Sequence, residues 1–198
     1  MKNIEHLAVM VRGKNVALVG NSKNVLGKQF PVDEHDLVIR MNGAWNLPEN
    51  MRLSVGQRLD ILCVSGAKKE INALVEKLSN VVYMSPKNRN VISDTISKNL
   101  YFYPEEWWAS LYEQLGSRPS TGCMAVDMLR RMIGDGTLTL YGFDFFENPS
   151  WHKQYSIKER IQVWLGKEIY VNPHDGVKEA MFIQNCLPTH QLTVIKTN

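Results

Sequence analysis

The chain has 198 residues, 44% of them hydrophobic, which is enough for residues 1–198 to bury one core as a single domain without disulfides or a structural metal. Lys and Arg number 23 against 20 Asp and Glu, and the resulting charge of +3 suits an anionic small ligand but falls far short of a nucleic-acid-binding surface. The 3 cysteines, Cys63, Cys123 and Cys186, are widely spaced and form no Cys-x-x-Cys pair, which argues against a disulfide framework or zinc site and for a reducing cytoplasm.

The apolar patch that ends at Arg12 is too short for a signal sequence, and no run approaches the roughly 20 apolar residues that cross a bilayer. Any service to a membrane is therefore expected to be peripheral, at its inner face. Asn15-Val-Ala-Leu-Val-Gly20 is an apolar run ending in glycine and predicts a buried strand that enters a turn. Asp36 to Met41 and Leu59 to Val64 predict two more strands. Ile71, Leu74, Val75 and Leu78 recur at helical spacing, and Val81 to Met84 then predicts a fourth strand. Residues 85–118 are the least regular, with room for a helix over a site. Ser120 or Thr121 can cap a helix carrying Met124, Val126, Leu129, Met132 and Ile133 and ending at Gly134-Asp-Gly136. Thr137 to Gly142 predicts a further strand. Strands alternating with helices imply a Rossmann-like α/β domain, its sheet mostly parallel and flanked by helices.

Three short motifs stand where such a sheet binds ligands. Gly20-Asn21-Ser22 falls at the end of an inner strand, where glycine lets backbone approach a ligand and Asn and Ser offer hydrogen bonds to phosphate or ribose. Alone, it also fits an ordinary strand-to-loop turn. It is neither Gly-x-Gly-x-x-Gly nor a Walker loop, which argues against a dinucleotide dehydrogenase or an ordinary ATPase. Arg118-Pro-Ser120-Thr121-Gly122 precedes a helix, so its free N–H groups and two hydroxyls suit an anion or carbonyl, although plain helix capping explains the same residues. His174-Asp-Gly-Val-Lys-Glu179 leads into an amphipathic run through Leu187. An imidazole at that position is suited to take a proton from a sugar hydroxyl, and a structural histidine beside a cap is the alternative.

In order, these segments resemble the sialylmotifs of glycosyltransferase family 29, the animal-type sialyltransferases. Val16-Ala-Leu-Val-Gly-Asn-Ser22, continued through Asp36-Leu-Val-Ile-Arg-Met-Asn42, is similar to the long motif. Arg118-Pro-Ser-Thr-Gly122 through Leu140-Tyr-Gly-Phe-Asp144 is similar to the short motif. His152 and Tyr155 stand near the third motif, and His174 with Glu179 fits the very short motif, His-x4-Glu.

The resemblance implies a sialyltransferase-type variant of the GT-A fold and a glycosyltransferase that inverts the anomeric carbon by direct displacement of CMP. It implies that Gly20, Asn21, Ser22 and Asn42 hold the CMP phosphate or ribose, and that Ser120, Thr121 and Gly122 hold the cytidine and carboxylate region of the donor. His152 would stabilise the leaving phosphate and His174 would be the general base, with Tyr155 and Glu179 in support. Neither cofactor nor metal is expected, because the leaving phosphate monoester is stabilised by His152 and helix dipoles and no Asp-x-Asp motif is present; Asp144-Phe-Phe-Glu147 is spaced differently. The expected partners are a CMP-sugar donor and a glycan or glycolipid acceptor.

The chain is shorter than the animal catalytic domains and carries no anchor, which suggests a minimal bacterial or viral version with trimmed acceptor-binding elements. Residues around Val16 replace the cysteine that opens the animal long motif, so the disulfide joining long and short motifs cannot form. Sialic acid is the donor sugar that the motifs favour; Kdo, another CMP-activated 2-keto acid, fits a cytoplasmic bacterial enzyme. A CMP-binding module that has lost catalysis is the alternative of a different class, and retention of both His174 and Glu179 speaks against it.

Overall fold

Residues 2–66, 71–145 and 174–196 are described by the computed structural model. Its strands β1 Asn15–Val19, β2 Leu37–Met41, β3 Ile61–Val64, β4 Val81–Tyr83 and β6 Thr137–Tyr141 form in the segments expected of them, and β5 Tyr101–Phe102 and β7 Leu192–Val194 are added by the structure. They make one sheet in the order β5-β4-β3-β2-β1-β6-β7, and every neighbouring pair is parallel. An all-parallel sheet is stable when both faces are covered, which is why its inner strands read as largely apolar runs.

Alternate side chains divide between the two faces. Val16 and Leu18 of β1, Ile39 and Met41 of β2, and Leu138 and Leu140 of β6 enter one cluster. It is closed by α1 (Ile4–Val11) and, further along the chain, by helices at Glu105–Leu115, Thr121–Met132 and Gly176–Asn185. Ala17, Val19 and Val38 face the other way, onto Met51 and Val55 of α2 (Glu49–Val55). Leu62, Val64, Val81 and Tyr83 pack on that same side against Ile71 and Leu74 of α3 (Ile71–Lys77) and, through Ile96, against α4 (Asp94–Ser97).

The irregular segment 85–118 contains α4, β5 and α5 (Glu105–Leu115), which runs beside α6 (Thr121–Met132). Asp127 of α6 is fully buried, and its carboxylate is met by the Tyr103 hydroxyl at 2.6 Å and by Arg130 and Arg131 at 2.7 and 3.0 Å. A buried carboxylate is tolerated when donors surround it in this way. The last helix, α7 (Gly176–Asn185), packs on both α5 and α6. Among the described residues no helix is long and apolar enough to cross a membrane.

Candidate active site at the switch of strand order

From β1 the chain steps outward through β2, β3, β4 and β5, then returns to lay β6 on the other side of β1. The loops after β1 and β6 therefore diverge and open a crevice beyond their carboxyl ends, the place where sheets of this kind take ligands. Gly20 directly follows β1 there. Its N–H donates to the Tyr141 carbonyl at 2.7 Å, and a Cβ at Gly20 would lie 2.3 Å from the Gly142 carbonyl oxygen, so no other residue fits. A Cβ at Gly122 would meet the Phe143 ring at 3.1 Å, and one at Gly20 would meet the same ring, also at 3.1 Å. The half-buried Phe143 ring is thus wedged between the glycines of two motifs that lie about a hundred residues apart.

Asn21 follows Gly20 and is half-buried at this edge. Ser22 is buried, and its hydroxyl donates to Asp144 at 2.6 Å while accepting from the Asn24 N–H at 3.2 Å. The Ser22 side chain therefore ties the β1 turn to the β6 turn. Asn42, directly after β2, adopts φ 52°, a left-handed conformation that asparagine tolerates better than most residues. Its Oδ1 accepts from the Ser65 N–H at 3.0 Å, which makes the amide NH2 the end of the group left to act as a donor. Arg40, two residues earlier, is fully buried. Its Nε and Nη2 donate to the carbonyls of Arg58 and Val55 at 2.8 and 2.7 Å, fastening β2 to the end of α2. Burial brings the Arg40 guanidinium down to about 10, with Asp33 and Asp60 opposing the shift, so it stays charged at neutral pH.

Helices that precede a strand in a parallel sheet start at the strands' carboxyl edge, and α6 and α7 both do so here. Ser120 is the N-cap of α6: its hydroxyl accepts from the Cys123 N–H at 3.1 Å. That hydroxyl also donates to Glu179 Oε2 at 2.6 Å, and the Ser120 N–H donates to Oε1 at 2.7 Å. Glu179 is 2% exposed, in the first turn of α7. Removing its carboxyl from water raises its pKa to about 7, a shift that the two Ser120 bonds oppose. The N–H, hydroxyl and carbonyl of Ser120 are thus all engaged inside the protein, leaving Thr121 and Gly122 as the half-buried members of the turn. The Thr121 hydroxyl donates to that of Ser65 at 2.8 Å.

His174 lies just outside α7, one residue before the N-cap Asp175. Its Nδ1 is 2.7 Å from the Arg118 carbonyl, which can only accept, so Nδ1 carries the hydrogen and the lone pair of the neutral ring sits on Nε2. Desolvation lowers the imidazole pKa and the Arg118 charge adds to this, against the bond to the Arg118 carbonyl; the ring is neutral at pH 7. The segments Arg118–Gly122 and His174–Glu179 are therefore joined twice, by His174 to Arg118 and by Glu179 to Ser120.

His152 and Tyr155 lie outside the described residues. Among the described residues no three metal-ligating side chains cluster. The three cysteines are free thiols. Ser65 joins the site without any local signature, since a serine after a strand has none; Phe143 and Asp144 close the segment that resembles the short motif, but their contacts belong to tertiary structure.

No family model matches the chain, and no curated protein matches it by sequence. Solved structures do. The chain is similar over 93% of its length, and 70% of the other's, to a mammalian sialyltransferase in complex with Gal-beta-1-3GalNAc-ortho-nitrophenol, at TM-score 0.59 and 19% identity. It is similar to the sialyltransferase CST-II in complex with CMP over 93% of this chain and 87% of that one, at TM-score 0.56 and 9% identity. An alpha-2,3-sialyltransferase from Campylobacter jejuni in apo form is matched over 92% and 74%, at TM-score 0.51 and 12% identity. The chain has the sialyltransferase fold.

Proposed function

We propose that this chain is an inverting glycosyltransferase that transfers sialic acid from CMP-sialic acid to a glycan hydroxyl, without a metal ion and on the cytoplasmic side of any membrane it serves. The observation that carries the reading is the double junction of His174 to Arg118 and Glu179 to Ser120, which sets a neutral imidazole beside the start of α6 at the switch of strand order. The fold adds support, since structures that share it hold CMP in one case and a galactoside in another.

In the reaction the acceptor oxygen forms a bond to the anomeric carbon as the bond from that carbon to the CMP phosphate oxygen breaks. The bonding pair leaves with CMP, and the acceptor proton passes to His174 Nε2. Asn21 and the Asn42 amide hold the nucleotide's phosphate or ribose, and Thr121 and Gly122 hold the donor beside α6. The N–H groups of the first helical turn have no intrahelical acceptor and favour an anion. Ser22 and Ser120 act as positioning residues, because their hydroxyls bind Asp144 and Glu179. His152 is assigned to the leaving phosphate from the motif resemblance.

Purified protein incubated with CMP-sialic acid or CMP-Kdo, with and without a panel of glycan acceptors, tests the reading by mass spectrometry of products and by CMP release. Transfer from CMP-sialic acid is expected. Transfer from CMP-Kdo alone would replace the donor, and CMP binding with no turnover of either donor would leave a binding module.

A further inference from the structure

Ser65 is absent from the motifs above, yet three elements of the site meet at it. It follows β3 directly. Its N–H donates to Asn42 Oδ1 at the end of β2, and its hydroxyl accepts from Thr121 Oγ1 at the start of α6. The residue is itself fixed from behind: the Gly66 N–H donates to the Ser85 hydroxyl at 2.8 Å, and the Tyr83 hydroxyl donates to the Gly66 carbonyl at 3.1 Å. The turn after β3 is therefore held on β4, and what it presents forward is the Ser65 hydroxyl. Ser65, Asn42, Thr121 and Gly122 are all half-buried, so this cluster borders the crevice instead of lying in the core.

A hydroxyl without a partner rotates among several directions, and only one of them serves a ligand. Two hydroxyls 2.8 Å apart share one hydrogen between them. The rotor of the one that donates, Thr121, is then fixed and its oxygen lone pairs are aimed.

Resting on the transferase reading above, we propose that Ser65 is a positioning residue of the donor site: it takes the Thr121 hydrogen, so that the Thr121 oxygen meets the CMP-sugar as an acceptor, from a hydroxyl or an N–H of the donor. Its backbone sets the Asn42 amide and its side chain sets Thr121, so one residue registers the donor groups of β2 against those of α6.

The test is a double-mutant cycle on the full chain with CMP-sialic acid as the varied substrate. Ser65→Ala and Thr121→Val are each expected to raise the donor KM roughly 2- to 10-fold, the worth of one hydrogen bond, with a smaller change in kcat. Because one side chain acts through the other, the double variant should be no worse than the poorer single variant. Ser65→Thr, which keeps the hydroxyl, should restore KM to near the unsubstituted value. A thermal melt of each variant separates this role from a purely structural one, which would lower Tm and leave KM in place. An unchanged donor KM in Ser65→Ala, or losses that simply multiply in the double variant, overturns the inference while the transferase reading stands. Failure of the unsubstituted chain to transfer from CMP-sialic acid overturns both.

Discussion

His174 works as a base only if it is neutral and correctly turned; burial supplies the first condition and the Arg118 carbonyl the second. The carbonyl fixes the tautomer, while desolvation and the Arg118 charge disfavour the imidazolium. Replacing His174 with Gln is expected to lower transfer roughly 10²- to 10⁴-fold and leave CMP affinity nearly unchanged, since a base on the acceptor side does not touch the nucleotide. Calorimetry with CMP beside a transfer assay checks this. In the unsubstituted chain the acid limb of kcat/KM should fall below the ordinary imidazole value of 6.5. Glu179 has the opposite shift, and its consequence is for stability. An acid whose pKa rises from 4.5 to about 7 on folding is protonated in the native state over a range where the unfolded chain has lost that proton. Its contribution is complete below about 4.5 and is lost as pH rises through about 7. Melting curves between about pH 5 and about pH 8 should therefore show a decline that Glu179→Gln flattens, and an identical slope in the two proteins would refute the assignment. The chemistry of His174 and Glu179 can be suspected from residue type and spacing alone. Their partners cannot, because the bonds to Arg118 and Ser120 span more than fifty positions and depend on how α7 docks on α6.

At the scale of elements, Ser120 serves two helices at once, capping α6 and engaging the carboxylate of α7. Ser120→Ala removes a cap worth about 1 kcal/mol and withdraws one donor from a buried carboxylate, a further cost of about 1–3 kcal/mol when that group is ionised. The loss in Tm should thus be larger at about pH 8 than at about pH 5, where Glu179 is protonated. A pH-independent loss would mean that capping is the whole effect. The cap is visible in the sequence because Ser120 and Thr121 stand before an apolar periodicity; β1, β2, β3 and β4 are visible as largely apolar runs, and β6 by its β-branched and apolar residues stopping at Gly142. At the sheet edges, β5 has only 2 residues, and β7, Leu-Thr-Val, is only partly buried and lacks the run of apolar residues that marks β4. Helix α1 was legible only as an apolar patch. Its start depends on Asn3, whose side chain accepts from the Glu5 N–H at 3.0 Å.

For the whole molecule, the proposed site joins parts of the chain that only the folded state brings together: the ends of β1 and β2, the start of α6 and the end of β6. No step of the proposed displacement requires a cation, so transfer should survive EDTA, and a loss restored by magnesium or manganese would overturn metal independence. A ligand that bridges these parts binds the native state and not the unfolded chain, so it must raise Tm by mass action. At about 100 times its dissociation constant the gain is about 2.7 kcal/mol, which for a domain of this size corresponds to roughly 5–10 °C. The prediction is selective as well as positive. The proposed site of Asn21, the Asn42 amide, Thr121 and the glycine-flanked Phe143 would offer compact polar groups to one phosphate and a pyrimidine edge, and the sequence at Gly20 is neither Gly-x-Gly-x-x-Gly nor a Walker loop. CMP should therefore shift the melt while AMP and GMP at equal concentration do not. The shift should persist in His174→Gln, whose change lies on the acceptor side, and shrink in Asn42→Ala, which loses a group assigned to the nucleotide. Equal shifts from AMP and CMP would show that the crevice holds a phosphate without reading the base, and the cytidine assignment would fall with that result.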